Sequence, residues 1–279
     1  MVAVVFGRTV LVAIAVLLGG CSTVRFAYEN ADAYVRWKAD SYLDVQGDDA
    51  DELDDRIDEF HAWHRKHALP QYAKLAREAS QRFSAGLSRR DLVWGYDAVR
   101  AQARESLRKA AELAAPLLDR LTPEQMAHIE RRFAEDNRQF YRSNLRGTEG
   151  ERRKKRVKFM VERLEDWVGK LSQAQVERVR EYAERAPLLD ELRDRDRKRL
   201  QRQVMEIIRA RAARKSLPEF AAAWDLTRDP AFVAGLEQWR EQYFALISDI
   251  ERSLTTQQRA RALGQLRRYA DEFEALAAR

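Results

Sequence analysis

From Ser88 to Leu121 the apolar residues Leu92, Tyr96, Val99, Ala103, Leu107, Ala110, Leu113 or Ala114, Leu117 and Leu121 recur at steps of three and four. That step keeps one face of a 3.6-residue helix apolar and leaves the other for water, so the segment predicts an amphipathic helix. The same spacing runs through Phe232, Leu236, Trp239, Tyr243, Leu246, Ile250 and Leu254. It recurs in Val157, Met160 or Val161, Leu164, Trp167 or Val168, and Leu171. Beyond residue 20 no stretch alternates with the period of two that a half-buried strand requires. The pattern predicts an all-α protein, a multi-helix bundle of roughly eight helices with short connections, antiparallel where the loops are short. A subdivision is expected near 186–216, at Ala186-Pro187 or Arg214-Lys215-Ser216.

The helix starts share a chemistry. Leu121-Thr122-Pro123-Glu124-Gln125, Leu171-Ser172-Gln173-Ala174-Gln175 and Leu254-Thr255-Thr256-Gln257-Gln258 all read Leu, hydroxyl, two residues, Gln. In a capping box the hydroxyl accepts from the backbone N–H three residues on, and the side chain there reaches back to the cap's own N–H. Thr122 with Gln125, Ser172 with Gln175 and Thr255 with Gln258 have that spacing, and Leu121 and Leu171 are placed to staple against Met126 and Val176. Related starts are Ser88 with Asp91, Thr148 with Glu151, and Ser216 with Glu219.

Composition reinforces the helices. With 41 Ala and 41 Arg, but 11 Gly and 6 Pro in 279 residues, the chain favours long helices over turns and disfavours an all-β or Gly-rich nucleotide-binding fold. The amino terminus sits apart from this pattern. Val10 to Gly20 is an apolar run after the lone cation Arg8, too short for the roughly 20 residues that span a bilayer, and it ends in Gly19, Gly20 and Cys21. Residues 1–20 are therefore expected to be a secretory signal and residues 21–279 a helical periplasmic domain.

Leu18-Gly19-Gly20-Cys21 resembles the lipobox of bacterial lipoprotein signal peptides. The resemblance implies cleavage before Cys21 and acylation of its thiol. Cys21 is the only cysteine, so it has no internal disulfide partner. Two or more acyl chains hold a protein durably on a membrane. Ser22 stands where inner-membrane lipoproteins often carry Asp, so the resemblance favours the outer membrane over the inner.

The Leu-Thr/Ser-x-x-Gln boxes resemble the LTxxQ motif of the Spy and CpxP group of periplasmic proteins, helical cradles that include ATP-independent chaperones and zinc-responsive relatives. Over most of the mature chain the sequence resembles a family of proteobacterial lipoproteins of unknown function. The residues that carry this are the lipobox, Tyr34 with Arg36, Trp37 and Tyr42-Leu43-Asp44, then Trp63-His64-Arg65, Leu69-Pro70 and Tyr72. At Asp44-Val45-Gln46-Gly47 the hydroxyl-bearing box is degraded.

His61, His64 and His67 lie three residues apart, with Asp58 one turn before the first. Three imidazoles spread over about 120° of a helix are a candidate transition-metal cluster. The competing expectation is structural, with Trp63 and His64 packed against a neighbouring helix and Leu69-Pro70 fixing a kink. No metal or other cofactor is otherwise called for.

Basic residues crowd at Arg152, Arg153, Lys154, Lys155, Arg156 and Lys158, and from Arg193 to Arg202. The aromatic interleaving of a nucleic-acid stacking platform is missing from both runs, and a periplasmic address excludes nucleic acid as the partner. Asp194 and Asp196 within the second run predict a solvated face laced with ion pairs. Contact with anionic lipid or lipopolysaccharide is the functional expectation for these runs. There is no G-x-S-x-G, no phosphate-binding glycine loop and no H-E-x-x-H. The expectation is a non-enzymatic, membrane-anchored envelope lipoprotein that binds a protein partner or unfolded clients, with a scaffold or a metal-responsive sensor as alternatives.

Overall fold

The computed structural model describes residues 21–279, and the expected signal segment 1–20 lies outside the described residues. The described chain is all-helical. It runs α1 (Cys21–Glu29), α2 (Ala31–Leu43), α3 (Asp48–Trp63), α4 (Leu69–Ser84), α5 (Arg89–Leu118), α6 (Pro123–Phe140), α7 (Glu149–Val168), α8 (Gln173–Arg185), α9 (Asp190–Arg209), α10 (Ala213–Ala222), α11 (Pro230–Arg252) and α12 (Thr256–Ala277). A π turn, His64–Ala68, joins α3 to α4, and a second, Tyr141–Leu145, extends α6. The expected eight helices are thus too few. Hydrophobic periodicity continues across short breaks, such as Asn30 between α1 and α2, and so hides them. At His64–Ala68 the ladder widens so that Leu69 N bonds His64 O, immediately before Pro70, which has no N–H to continue the α pattern.

The helices form two hydrophobic cores. One gathers Tyr42, Leu43, Ile57, Leu107, Leu118, Ile129, Phe133, Val204, Ile208 and Leu217; the other gathers Phe83, Met160, Leu164, Val179, Tyr182, Leu246, Ile250 and Ala262. Around them the fold repeats itself. In the set α2, α3, α5, α6 the first helix packs on the second and the fourth, and the second on the third. The set α7, α8, α11, α12 makes the same three pairings in the same order. Each set turns twice through a Leu- or Val-led box: at 45–49 and 121–125 in the first, at 171–175 and 254–258 in the second.

The helices inserted between these pairs cross over. α4, which follows the first set's α3, lies along α12, whereas α10, which follows the second set's α8 and α9, lies along α5. Residues near 186–216 therefore run from one core to the other, because α9 and α10 supply Val204, Ile208 and Leu217 to the first core.

Two local expectations fail for physical reasons. Val99, placed on the apolar stripe of α5, is 52% exposed, because the amino-terminal half of this 30-residue helix is covered less than the carboxy-terminal half, where the buried residues cluster. Ser216 caps nothing, since α10 begins three residues earlier and its free N–H groups are met from another helix end. Asp119 Oδ1 accepts from Ala213 N at 2.7 Å and Asp119 Oδ2 from Arg214 N at 3.1 Å.

Candidate functional site

The helix-start boxes meet in pairs. At the second set's turns, Ser172 Oγ accepts from Gln175 N and Thr255 Oγ1 from Gln258 N, while each Gln side-chain oxygen accepts from its own cap N–H. The two amides then face each other: Gln175 Nε2 donates to Gln258 Oε1 and Gln258 Nε2 to Gln175 Oε1, both at 3.1 Å. Gln258 Nε2 also reaches Lys170 O at 3.0 Å and Gln175 Nε2 reaches Ser253 O at 3.2 Å, each carbonyl preceding the partner box's Leu. Every donor and acceptor of the two buried amides is used. Gly169, at φ 81°, ends α7 by bonding Glu165 O and turns the chain into Leu171, a left-handed conformation open to glycine at little cost. A cleft of about 460 Å³ opens over this junction, lined by Lys170, Ser172, Gln175, Ser253, Gln257 and Arg261 among others.

The first set carries the same junction in altered chemistry. Thr122 Oγ1 accepts from Gln125 N, Gln125 Oε1 from Thr122 N, and Gln125 Nε2 donates to Asp44 O, which precedes Val45 as Lys170 precedes Leu171. On the opposite turn α3 starts from Gly47 with no side-chain cap, and Asp49 stands where the second glutamine would be. Arg120 reaches across to Asp49 at 3.1 Å and to Glu52, so an ion pair replaces one half of the amide pair.

Trp63, His64, Arg65, Leu69 and Tyr72 belong to a different cluster, where α1 docks on the π turn. His64 Nδ1 lies 3.1 Å from Tyr28 Oη, His64 Nε2 lies 3.3 Å from Tyr72 Oη, and Tyr72 Oη lies 3.5 Å from Ser106 Oγ, linking α1, α4 and α5 through one imidazole. Burial, with His61 adding a like charge, lowers the His64 pKa to about 4, so the ring is neutral near pH 7. Burial likewise raises the Tyr28 hydroxyl to about 12. Leu69 is buried and Pro70 exposed, while the Arg65 side chain lies beside Tyr28. The histidines do not converge. His61 stacks on Tyr28 at 4.8 Å, His67 stacks on Trp63 at 5.7 Å, and Asp58 is drawn away by Arg36. Among the described residues no three His, Cys, Asp or Glu side chains are grouped to hold a metal ion. Trp37 stands apart from this cluster, 63% exposed.

Of the two basic runs, Arg152, Arg153, Arg156, Arg197 and Arg199 are half-buried, while Lys154, Lys155, Lys158, Arg193, Arg195, Lys198 and Arg202 stay exposed. Arg153 and Arg156 donate to Ala183, Ala186 and Pro187 carbonyls at the end of α8, where the helix dipole is negative. Lys154, Lys155 and Lys158 remain exposed beside Phe159, over which Arg163 stacks at 5.1 Å. In the second run the expected ion pairs form, but the acids that make them lie inside the fold. Asp194 and Asp196 are buried, not solvated: Lys198 holds Asp194 at 2.5 Å, and Arg199, Arg228 and the backbone N–H of Asp229 hold Asp196. Charge alternation alone does not distinguish a wet face from a buried network. A third clasp, Asp225 between Arg100 and Arg104, was invisible in the sequence because its members lie more than a hundred residues apart.

A family model described as Family of unknown function (DUF6279) matches residues 41–222. No curated protein matches the chain. No solved structure matches it either.

Proposed function

The chain belongs to this family of unknown function, DUF6279, and from that premise we propose that it is a lipid-anchored helical protein of the cell envelope that binds other polypeptides and catalyses no reaction. The anchor is Cys21, the first residue of α1, acylated and facing the periplasm, with the outer membrane as its place. No helix among the described residues is long and apolar enough to cross a membrane, so in this reading attachment rests on lipid.

One observation supports binding above all: α7 presents Phe159, 48% exposed, among Lys154, Lys155 and Lys158. An apolar ring in a cationic field suits apolar, acid-bearing segments of unfolded envelope proteins, and the lysine and arginine stems extend the apolar contact while their heads keep the surface soluble. The same cations suit anionic lipid or lipopolysaccharide. The test is aggregation of a denatured substrate with the chain in several-fold excess. Suppression that falls at least twofold in Phe159→Ser supports holding of clients. No suppression by the unaltered chain overturns it and leaves the scaffold, for which crosslinking in intact cells recovers one dominant partner.

A further inference from the structure

α1 and α2 are separated only by Asn30, and the bonds from Asn30 N to Phe26 O and from Tyr34 N to Asn30 O carry the helical ladder across the break. Positions 26, 33, 34 and 37 therefore fall within about 100° of one another on the rod. The inward side is well occupied: Val24, Tyr42 and Leu43 are buried, Val35 and Ala39 pack on the first core, and Tyr28 meets His61 and His64. The outward side is not. Phe26 is 68% exposed, Trp37 63% and Tyr34 40%, with Ala33 exposed between them. Tyr34 and Trp37 lie with ring centroids 5.8 Å apart, and the Lys38 ammonium stands 6.0 Å from the Trp37 ring. Three large aromatics on one exposed stripe of a rod are unusual for a surface that meets only water.

Resting on the lipid-anchor reading, we propose that this stripe lies in the headgroup layer of a phospholipid bilayer, so that α1 and α2 run along the membrane. Three features select that occupant. Phe26 is five residues from Cys21, about 8 Å along the helix, and Trp37 about 24 Å, so acyl chains on Cys21 bring the stripe to the bilayer surface. Trp and Tyr have an apolar body and a polar tip, the form that sits best at the membrane–water boundary. Flanking charge is mixed: Arg25 and Lys38 against Glu29 and Asp40. The contact is therefore made by ring burial and suits a zwitterionic surface, with little dependence on salt.

The test uses the full-length chain, purified from the membranes of expressing cells and placed in phosphatidylcholine vesicles whose acyl chains are brominated near the headgroup. Bromine quenches only tryptophans at that depth. With six tryptophans in the chain, the proposal expects a loss of up to about one sixth of the emission, abolished in Trp37→Phe. Faster transfer between vesicles, at least threefold, is expected for Phe26→Ser with Trp37→Ser; both side chains are exposed, and an unchanged circular dichroism spectrum checks the fold. Quenching equal in the unaltered chain and Trp37→Phe, on vesicles that retain the protein, overturns the interfacial seat alone. Loss of the chain from the vesicles, with Cys21 found bare by mass spectrometry, overturns the anchor and the seat together. A bare Cys21 on a chain that stays bound and quenched overturns the anchor and upholds the seat.

Discussion

Gln175 and Gln258, 83 residues apart, exchange two amide hydrogen bonds of 3.1 Å beneath the surface where α7 turns into α8 and α11 into α12. Each amide also closes its own helix cap, so the pair couples two helix starts that are otherwise independent. Truncating one glutamine strands the other's donor and acceptor in a buried site, which costs about 1–3 kcal/mol. Truncating the second then adds less, because its partner is already gone. We expect Gln175→Ala and Gln258→Ala each to destabilise the chain in urea, with the double variant less destabilised than the sum by about 1 kcal/mol. Strict additivity would mean that the two caps act separately.

At the corresponding turns of the first set, Thr122 closes a capping box alone, with only the backbone of Asp44 across from Gln125. Thr122→Ala removes one hydrogen bond to an otherwise free N–H and is expected to cost about 1 kcal/mol. An unchanged melting curve would show that the hydroxyl contributes nothing there.

His64 makes folding sensitive to acid. Its folded pKa of about 4 lies below the 6.5 of an exposed imidazole, so between those values the unfolded chain binds the proton and the folded chain does not. The stability is full above pH 6.5 and is lost as pH falls toward 4, by on the order of 2–3 kcal/mol for a shift of this size. The groups that face the ring are the Tyr28 and Tyr72 hydroxyls and His61, and neither tyrosine titrates in this window. His64→Gln should start less stable at pH 7.5 and lose less between pH 6.5 and 4, measured by urea midpoints. An equal slope in both chains would remove His64 as the source.

Asp196 is fully buried, and its carboxylate holds Arg199, Arg228 and the N–H of Asp229, tying α9 to the start of α11. These partners outweigh the desolvation that opposes its charge, and its pKa is lowered. Asp196→Asn keeps the shape but leaves two guanidinium groups without their anion, and because both are partly exposed the expected cost is about 2–4 kcal/mol. A cost below 0.5 kcal/mol by calorimetric melting would show that water replaces the carboxylate.

The all-helical class and the long helices were legible because their signals are local: the three-and-four step of α5, α7 and α11, and hydroxyl-x-x-Gln at positions 122, 172 and 255. What the chain hides is pairing over distance. Nothing near Leu171 indicates that its glutamine meets one 83 residues on, and Asp196 reads as solvated until α11 is placed above it. Short breaks are hidden as well, since the single turn residue Asn30 and the π turn at His64–Ala68 separate helices without erasing the apolar stripe. The amino-terminal aromatics Phe26, Tyr34 and Trp37 resemble core residues by type, and only the packing of α1 and α2 reveals that they face outward.

Helix α10 shows how a cap can come from elsewhere, and two variants separate the local rule from the tertiary one. Ser216 with Glu219 has the spacing of a box, yet it lies inside the helix, with Ser216 N already bonded to Ala212 O. The carboxylate of Asp119, at the end of α5, instead accepts from Ala213 and Arg214, two of the free N–H groups at the positive end of α10, while its own carbonyl takes a bond from Arg211. Asp119→Ala removes both acceptors and the favourable charge at the dipole, so it is expected to cost about 1–2 kcal/mol. Ser216→Ala replaces a mid-helix serine by the best helix former and is expected to be neutral or to stabilise by a few tenths of a kcal/mol. Urea denaturation of the two variants decides the matter: if Ser216→Ala is the more damaging, α10 begins where the sequence spacing alone would put it.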